Sequence, residues 1–378
     1  MVVHPWIVFL GSIELKPLRN DDGTIPNDEK IRVAKKRKQL EKKAEGIRKM
    51  YQAYKKHMEE NYRKPLGLPE FKPTDVLFQW IFEDREGFDR YSIKSRGSAV
   101  NPNVLGYFSP QNRWVFLYFR DDDATGGISN LNTLAHELTH QLQWHFSKDP
   151  KNPKYRNYEG EAPSAWFQEG WAEFVGGSCR QVPDTDKYQF EWYALGRLEG
   201  IRMMKKRGIP LMYIKDLVER ESYGEFRSWV RSNWLPVARD MAPESAHKWL
   251  GPTMYFSAMY SQSYYFVYFL NNYGNGKYKE KFRDFVMMIL RGKQKPPKYQ
   301  KEGKSKRWDS VHDAFIEIFF GRDDPYKDLD GLEKEWAKMQ KEHDEMLETV
   351  LKDAPKPPKK KEDDEEKDED EESSISGI

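Results

Sequence analysis

The chain has 378 residues, of which 38% are hydrophobic, 14% aromatic and 33% charged, and its formal net charge is +2. That length is enough to bury the core of two subdomains. Because no apolar run approaches the roughly eighteen residues of a membrane span, we expect no membrane span, and the single cysteine, Cys179, excludes an internal disulfide.

The first apolar segment runs from Trp6 to Leu10. It is shorter than the core of a signal peptide and follows no basic region, so no signal peptide is expected in this sequence. The protein would then be cytoplasmic, or secreted or periplasmic if an export signal has been trimmed.

A long basic helix is predicted over residues 28–64, with Asn27 as its cap. The segment holds 14 Lys and Arg against 6 Asp and Glu, a charge of +8. Such a helix can contact anionic partners. Acidic residues are interspersed, however, and no aromatic stacking platform accompanies the basic ones. This pattern favours a solvated face and argues against nucleic acid as a partner.

Two aromatic and β-branched runs, residues 76–82 and 113–119, are bounded by turn residues and are predicted to be strands. A helix is predicted after the Gly126-Gly127 break, with Ser129 or Asn130 as its N-cap. Leucines recur at helical spacing along it.

The pentad His136-Glu137-Leu138-Thr139-His140 lies on this helix. Positions i and i+4 project from one face, so His136 and His140 can offer two imidazoles to one metal ion, with Glu137 beside it. Zinc is the natural occupant of such a site. The alternative is two core histidines on a buried helix, which the context of the pentad makes the less favoured interpretation.

A catalytic zinc site normally has three protein ligands and keeps its fourth position open, so one ligand remains to be found. One common solution needs glycine and histidine three and six residues after the second histidine. Gln143 and Phe146 stand at those places, and His145 is one residue out of register. The third ligand must therefore come from elsewhere in the chain.

A short helix that begins near Ser164 and ends at Gly176-Gly177 offers two carboxylates, Glu169 and Glu173, at i and i+4. The alternative is a solvated acidic face, which the surrounding tryptophans and phenylalanines disfavour. The preceding residues 147–163, rich in Lys, Pro and Asn, are predicted to form an inserted surface loop.

The remaining segments with apolar helical spacing are predicted to be helices at 186–207, 256–273, 278–291, 308–320 and 329–351. The predicted helix 256–273, which contains Tyr260, is rich in aromatic residues, as is typical of a helix that packs in a core. Residues 362–372 hold 10 acids and one Lys, a charge of −9. A tail of this composition, over 352–378, is expected to be disordered.

With these motifs, the chain resembles the gluzincin zinc metallopeptidases, the group that includes thermolysin and aminopeptidase N. The pentad is followed by Trp166 through Ala172, which is similar to the family's Trp-Leu-Asn-Glu-Gly-Phe-Ala stretch, and Tyr260-Ser261-Gln262-Ser263 is similar to its Tyr-x-Lys-Gly pattern. Gln262 and Ser263 replace Lys and Gly. The likeness spans about residues 75–275 and is closest to uncharacterised bacterial gluzincin-like proteins.

The resemblance implies a role for each matching residue. Glu169 would be the third metal ligand, and Glu173, standing where thermolysin-like members have Asp, would orient a ligand histidine. Tyr260 would stabilise the oxyanion, and Tyr255 matches a second tyrosine near the family's site. The strand before the active helix, which the run 113–119 would form, is expected to be a sheet edge that receives the peptide.

The expected chemistry is hydrolysis of peptide or protein substrates at one zinc ion per chain, with Glu137 as the general base. The Gly-x-Met-Glu-Asn signature of aminopeptidases is absent, since Met58-Glu59-Glu60-Asn61 lacks the glycine, so endopeptidase action is favoured. The alternative is an inactive zincin-fold binding protein that contacts anionic partners through the 28–64 helix. The sequence does not specify the oligomeric state.

The expected fold class is α+β, with a zincin-like domain followed by a helical subdomain. Its sheet would be small and mixed, with an edge strand beside the active-site helix. The predicted divisions are an N-terminal extension (1–74), a catalytic domain (75–275), a C-terminal helical subdomain (276–351) and an acidic tail (352–378).

Overall fold

The fold is known from a computed structural model. The residues that the structure describes are 2–4, 7–12, 22–68, 70, 77–82, 84–100, 104–119, 128–146, 164–182, 185, 187–191, 193–220, 222–241, 252–290, 310–321 and 325–353. The predicted loop 147–163 and the tail beyond residue 353 lie outside them.

A mixed sheet of five strands forms the β part of the molecule. Its strands are β1 (Val2–His4), β2 (Ile7–Ser12), β3 (Leu77–Phe82), β4 (Gly106–Ser109) and β5 (Trp114–Tyr118). They lie in the order β1-β2-β3-β5-β4. The central strands β2, β3 and β5 are parallel, and the outer strands β1 and β4 pair antiparallel with their neighbours.

The prediction that the run 113–119 forms the sheet edge is wrong. That run forms β5, which lies between β3 and β4. A tight turn after Ser109, closed by a 2.7 Å hydrogen bond from Arg113 N to Ser109 O, adds one further antiparallel strand. The outer strand on this side of the sheet is therefore β4.

Helices make up most of the molecule, which agrees with the expected α+β class. None of those in the described residues is long and apolar enough to cross a membrane. They are α1 (Asn27–Met58), α2 (Arg85–Arg96), α3 (Ile128–Phe146), α4 (Ala165–Ala172), α5 (Leu195–Lys206), α6 (Ile214–Glu219), α7 (Tyr223–Met241), α8 (Pro252–Gly276), α9 (Lys279–Leu290), α10 (Val311–Phe320) and α11 (Pro325–Asp353). Single π-helical turns follow α1 (Glu59–Arg63) and α4 (Glu173–Gly177), and β6 (Arg180–Gln181) pairs with β7 (Tyr188–Gln189).

The predicted helices at 256–273, 278–291, 308–320 and 329–351 are confirmed, with shifted ends, as α8 to α11. The helix predicted at 186–207 is wrong in its first half, because β7 occupies residues 188–189 and α5 begins at Leu195.

Side chains alternate between the two faces of the sheet, as the pleat requires. On β3, Leu77 and Ile81 pack in the main core, while Trp80 and Phe82 pack with Phe88 of α2 in a smaller aromatic core on the other face. The main core lies between the sheet and α3. The sheet therefore packs against the apolar face of the helix that carries the pentad.

Helix α1 packs against the same core with its apolar stripe. The buried Tyr54 hydroxyl lies 2.7 Å from the Thr139 hydroxyl, which in turn donates to Ala135 O at 2.9 Å. Thr139 belongs to the pentad, so α1 contacts the pentad helix α3 directly at this residue. The predicted boundary at residue 74 stays a prediction, because residues 71–76 lie outside the described part of the chain.

Candidate metal centre

Helix α3 carries the pentad in the middle of its length, where its apolar side chains pack in the main core. His136 is 7% exposed and Glu137 8% exposed, although both are polar. Buried ionisable groups are costly unless they are paired or bind a metal, so their placement calls for an explanation.

Helix α4 brings Glu169 to the two histidines, and these three residues form a group that could hold a metal ion. The Nε2 atoms of His136 and His140 are 3.1 Å apart. Glu169 Oε2 lies 3.1 Å from His136 Nε2 and 3.3 Å from His140 Nε2. The three atoms thus form a nearly equilateral triangle.

The size of this triangle fits a small tetrahedral cation. Metal–ligand bonds of about 2.0–2.1 Å at tetrahedral angles place ligand atoms about 3.3 Å apart. Glu169 Oε2 is buried and has no hydrogen-bond partner in the described residues. An unsatisfied carboxylate oxygen that faces two imidazole nitrogens is the arrangement expected of a ligand set.

The other oxygen of Glu169 has a different partner. Tyr223, the first residue of α7, donates its hydroxyl hydrogen to Glu169 Oε1. No sequence motif points to Tyr223. The two carboxylate oxygens therefore have separate contacts, one with a tyrosine and one with the histidine pair.

Glu173 lies behind His136, on the π-helical turn that follows α4. Its Oε1 is 3.2 Å from His136 Nδ1 and also accepts a hydrogen bond from Arg197 Nη2 on α5. This places Glu173 where a residue that orients a ligand histidine would lie. Arg197 was not predicted either, since nothing in the local sequence ties it to a residue 24 positions earlier.

The charges in this group are strongly coupled. Burial opposes the charge on His136, but the carboxylates of Glu173 and Glu169 outweigh burial and raise the pKa of His136 to about 10. Burial disfavours the carboxylate of Glu169, yet the two histidines hold its pKa well below the usual range. The site therefore favours a positive charge between its ligands, and a metal cation would supply that charge in place of a proton.

Glu137 points toward the outer strand of the sheet. Its carboxyl accepts a hydrogen bond from the backbone of Phe108 on β4, and burial is the largest cause that raises its pKa. A carboxylate with a raised pKa is a better proton acceptor than an ordinary one. Glu137 thus lies between the histidine pair and the outer strand.

Tyr260 of α8 also lies at this site. Its ring centroid is 5.9 Å from that of His136, and the Arg197 guanidinium lies 5.0 Å from its ring centroid. Burial raises the pKa of its hydroxyl well above the usual range, which keeps it a hydrogen-bond donor. Tyr255 lies in the first turn of the same helix, but its side chain lies outside the described residues.

Two glycines allow the helices to approach closely enough to assemble the group. A Cβ on Gly170 would meet Ser263 O of α8 at 2.4 Å, and one on Gly176 would meet Ala135 O of α3 at 2.3 Å. Real Cβ contacts are essentially never shorter than 3.0 Å. Helix α4 therefore packs closely against α8, and the turn that follows α4 packs closely against α3, through backbone contacts that only glycine permits.

His145 is buried near the end of α3, and its ring packs 5.8 Å from that of Phe146, away from the His136–His140–Glu169 group. Cys179 is buried too, and burial raises the pKa of its thiol to about 12. Neither residue belongs to the candidate centre.

Comparison with protein-family models, with curated proteins and with solved structures gives no match for this chain. The resemblance to gluzincins therefore stays an expectation from the sequence motifs.

Proposed function

We propose that the protein is a zinc metallopeptidase of the gluzincin type, with a zincin-like catalytic domain. The observation that carries the proposal is the triangle of ligand atoms from His136, His140 and Glu169, with sides of 3.1 to 3.3 Å, beside the buried Glu137. A purely structural metal site has no need of a fourth, proton-accepting carboxylate at that position.

His136, His140 and Glu169 would hold one zinc ion, which when bound supplies Lewis-acid polarisation of a carbonyl and activation of water. Glu137 accepts one proton from the water whose oxygen bonds to the carbonyl carbon. It then delivers that proton to the amide nitrogen as the C–N bond breaks. The products are a carboxylic acid and an amine, so the atoms balance.

Tyr260 is the proposed donor to the developing oxyanion, and the Arg197 guanidinium over its ring favours negative charge nearby. The outer strand β4 is the proposed docking edge for an extended peptide, because its Phe108 contacts Glu137. No strand pairs with the outer side of β4 among the described residues. A continuous edge of this kind suits endopeptidase action better than capture of a free amino terminus.

The second candidate is a zincin-fold protein that binds anionic partners through α1 without turnover. On α1, basic residues pair with acidic ones one helical turn away, as in Arg32–Glu29, Arg37–Glu41 and Arg48–Glu45. These pairs support the solvated-face interpretation of the helix and leave the metallopeptidase as the favoured function.

The test is incubation of zinc-loaded protein with a diverse peptide library, followed by identification of the products by mass spectrometry. We expect internal cleavage that is lost when a chelator removes the metal and restored when zinc is returned. Removal of single amino-terminal residues would instead assign an aminopeptidase. Salt-sensitive retention on nucleic acid, without any zinc-dependent products, would favour the binding protein.

A further inference from the structure

Tyr223 hydrogen-bonds to one carboxylate oxygen of Glu169, and the other oxygen faces the two histidines. Its hydroxyl donates to Oε1, while Oε2 lies 3.1 and 3.3 Å from the Nε2 atoms of His136 and His140. A free carboxylate can bind a cation through one oxygen or through both. The hydrogen bond from Tyr223 turns one oxygen away from the histidine pair.

The start of α7 is built to hold Tyr223 in place. Ser222 N donates to Glu225 Oε2 at 2.9 Å, and Glu225 N donates to Ser222 Oγ at 3.2 Å. These reciprocal bonds form a capping box, which fixes the first turn of a helix. Further along α7, the indole of the buried Trp234 donates to Pro210 O at 2.8 Å. Tyr223 therefore stands on an anchored backbone.

We propose that Tyr223 is a positioning residue that keeps Glu169 a one-oxygen ligand and so selects a four-coordinate metal. The inference rests on the metal centre of the proposed function. Zinc accepts four ligands at tetrahedral positions, whereas calcium takes six to eight oxygen ligands and often both oxygens of a carboxylate. With Oε1 bound to a tyrosine, the site offers three ligand atoms and one open position, which suits zinc.

The test compares Tyr223→Phe with the parent and with a control, Tyr213→Phe. Tyr213 precedes α6 and is 65% exposed, so its hydroxyl should contribute nothing to the site. Zinc affinity is measured by competition with a chelator, and cobalt(II) is substituted as a visible probe, because its absorption is stronger in four-coordinate than in five-coordinate sites. Circular dichroism checks that each variant folds.

We expect Tyr223→Phe to bind zinc about 10–100-fold more weakly than the parent, as is usual when a partner of a metal ligand is removed. Its cobalt form should absorb more weakly, because the released Oε1 raises the coordination number. Tyr213→Phe should match the parent in both measurements. If Tyr223→Phe fails to fold, Ser222→Ala, which loosens the start of α7, should weaken zinc binding in the same direction.

Zinc affinity and cobalt absorption that are unchanged in Tyr223→Phe would overturn the inference while leaving the metal centre standing. For Ser222→Ala used in its place, unchanged values would do the same. A parent protein that binds neither metal would overturn the proposed function as well, so the two failures are distinguishable.

Discussion

Gly176 offers a sharp test of how the candidate centre is assembled, because it lies where the turn after α4 touches the pentad helix. In Gly176→Ala, the new Cβ would lie 2.3 Å from Ala135 O and 2.5 Å from His136 N. Both are backbone atoms and cannot rotate away as a side chain would. The contact with Ala135 O would have to open by about 1 Å to reach ordinary van der Waals distance, which begins at 3.4 Å.

Overpacking of this kind in a core costs typically about 1–3 kcal/mol, and the backbone contact places Gly176→Ala at the upper end of that range. The same shift moves Glu173, three residues earlier on the turn, away from His136 Nδ1. Zinc affinity should therefore fall about 10–100-fold as well. Denaturant unfolding gives the change in stability, and chelator competition gives the affinity.

The matched control is Gly46→Ala in the middle of α1, where a Cβ would meet nothing within 4 Å. Alanine is the better helix former, so this variant should be more stable by about 0.5–1 kcal/mol and bind zinc as the parent does. Equal stability and equal zinc affinity for Gly176→Ala and the parent would refute the close approach of α4's turn to α3.

Two further predictions concern the third ligand and a buried acid. Glu169→Ala should lose bound zinc, as measured by metal analysis, because only two of the three protein ligands would remain. Full zinc retention in this variant would exclude Glu169 as a ligand. Burial raises the pKa of Glu333 on α11 to about 6, opposed by the Ile214 backbone hydrogen bond and reinforced by Asp216 and Asp330. Because the folded state holds this proton more tightly than the unfolded state does, protonation of Glu333 stabilises the fold. This stabilisation is fully present below about pH 4.5 and is lost as the pH rises through about 6. Stability of the parent relative to Glu333→Gln should thus fall over that window, by about 1 kcal/mol after allowance for partial exposure, and parallel pH curves for the two proteins would contradict it.

Those parts of the candidate centre that lie within one helix could be predicted from the sequence. His136 and His140 share a helix face by spacing alone, and Glu169 and Glu173 follow the same rule on the next helix. Ser164 and Gly176-Gly177 marked the ends of that helical segment, and the structure places them there. These features depend on neighbours within a few residues.

Two helices and a hairpin have local sequence signals but are absent from the predicted elements. The capping box of Ser222 and Glu225 indicates the start of α7. The start of α2 is indicated by Asp84, whose side chain accepts a hydrogen bond from Gly87 N at 2.7 Å, and its end by Gly97, which is in the left-handed conformation. The turn after Ser109 likewise indicates the hairpin of β4 and β5.

What the sequence could not supply is the pairing of distant segments. The parallel register of β2 with β3 joins residues 7–12 to residues 77–82 across α1, and no local pattern specifies such a partner. The contacts of Arg197 with Glu173 and of Tyr223 with Glu169 likewise depend on how α5 and α7 pack. Tyrosine and arginine are common on helices, so only the folded structure singles these two out.

The most direct test of the account is the rate of peptide cleavage by Glu137→Gln, with zinc content measured on the same sample. The amide keeps the size of the side chain but cannot accept the proton. We expect one zinc per chain and no detectable cleavage, while the control Glu60→Gln, on the exposed side of the turn after α1, keeps the parent rate. Cleavage by zinc-loaded Glu137→Gln at the parent rate would contradict the assignment of Glu137 as the general base and, with it, the proposed mechanism.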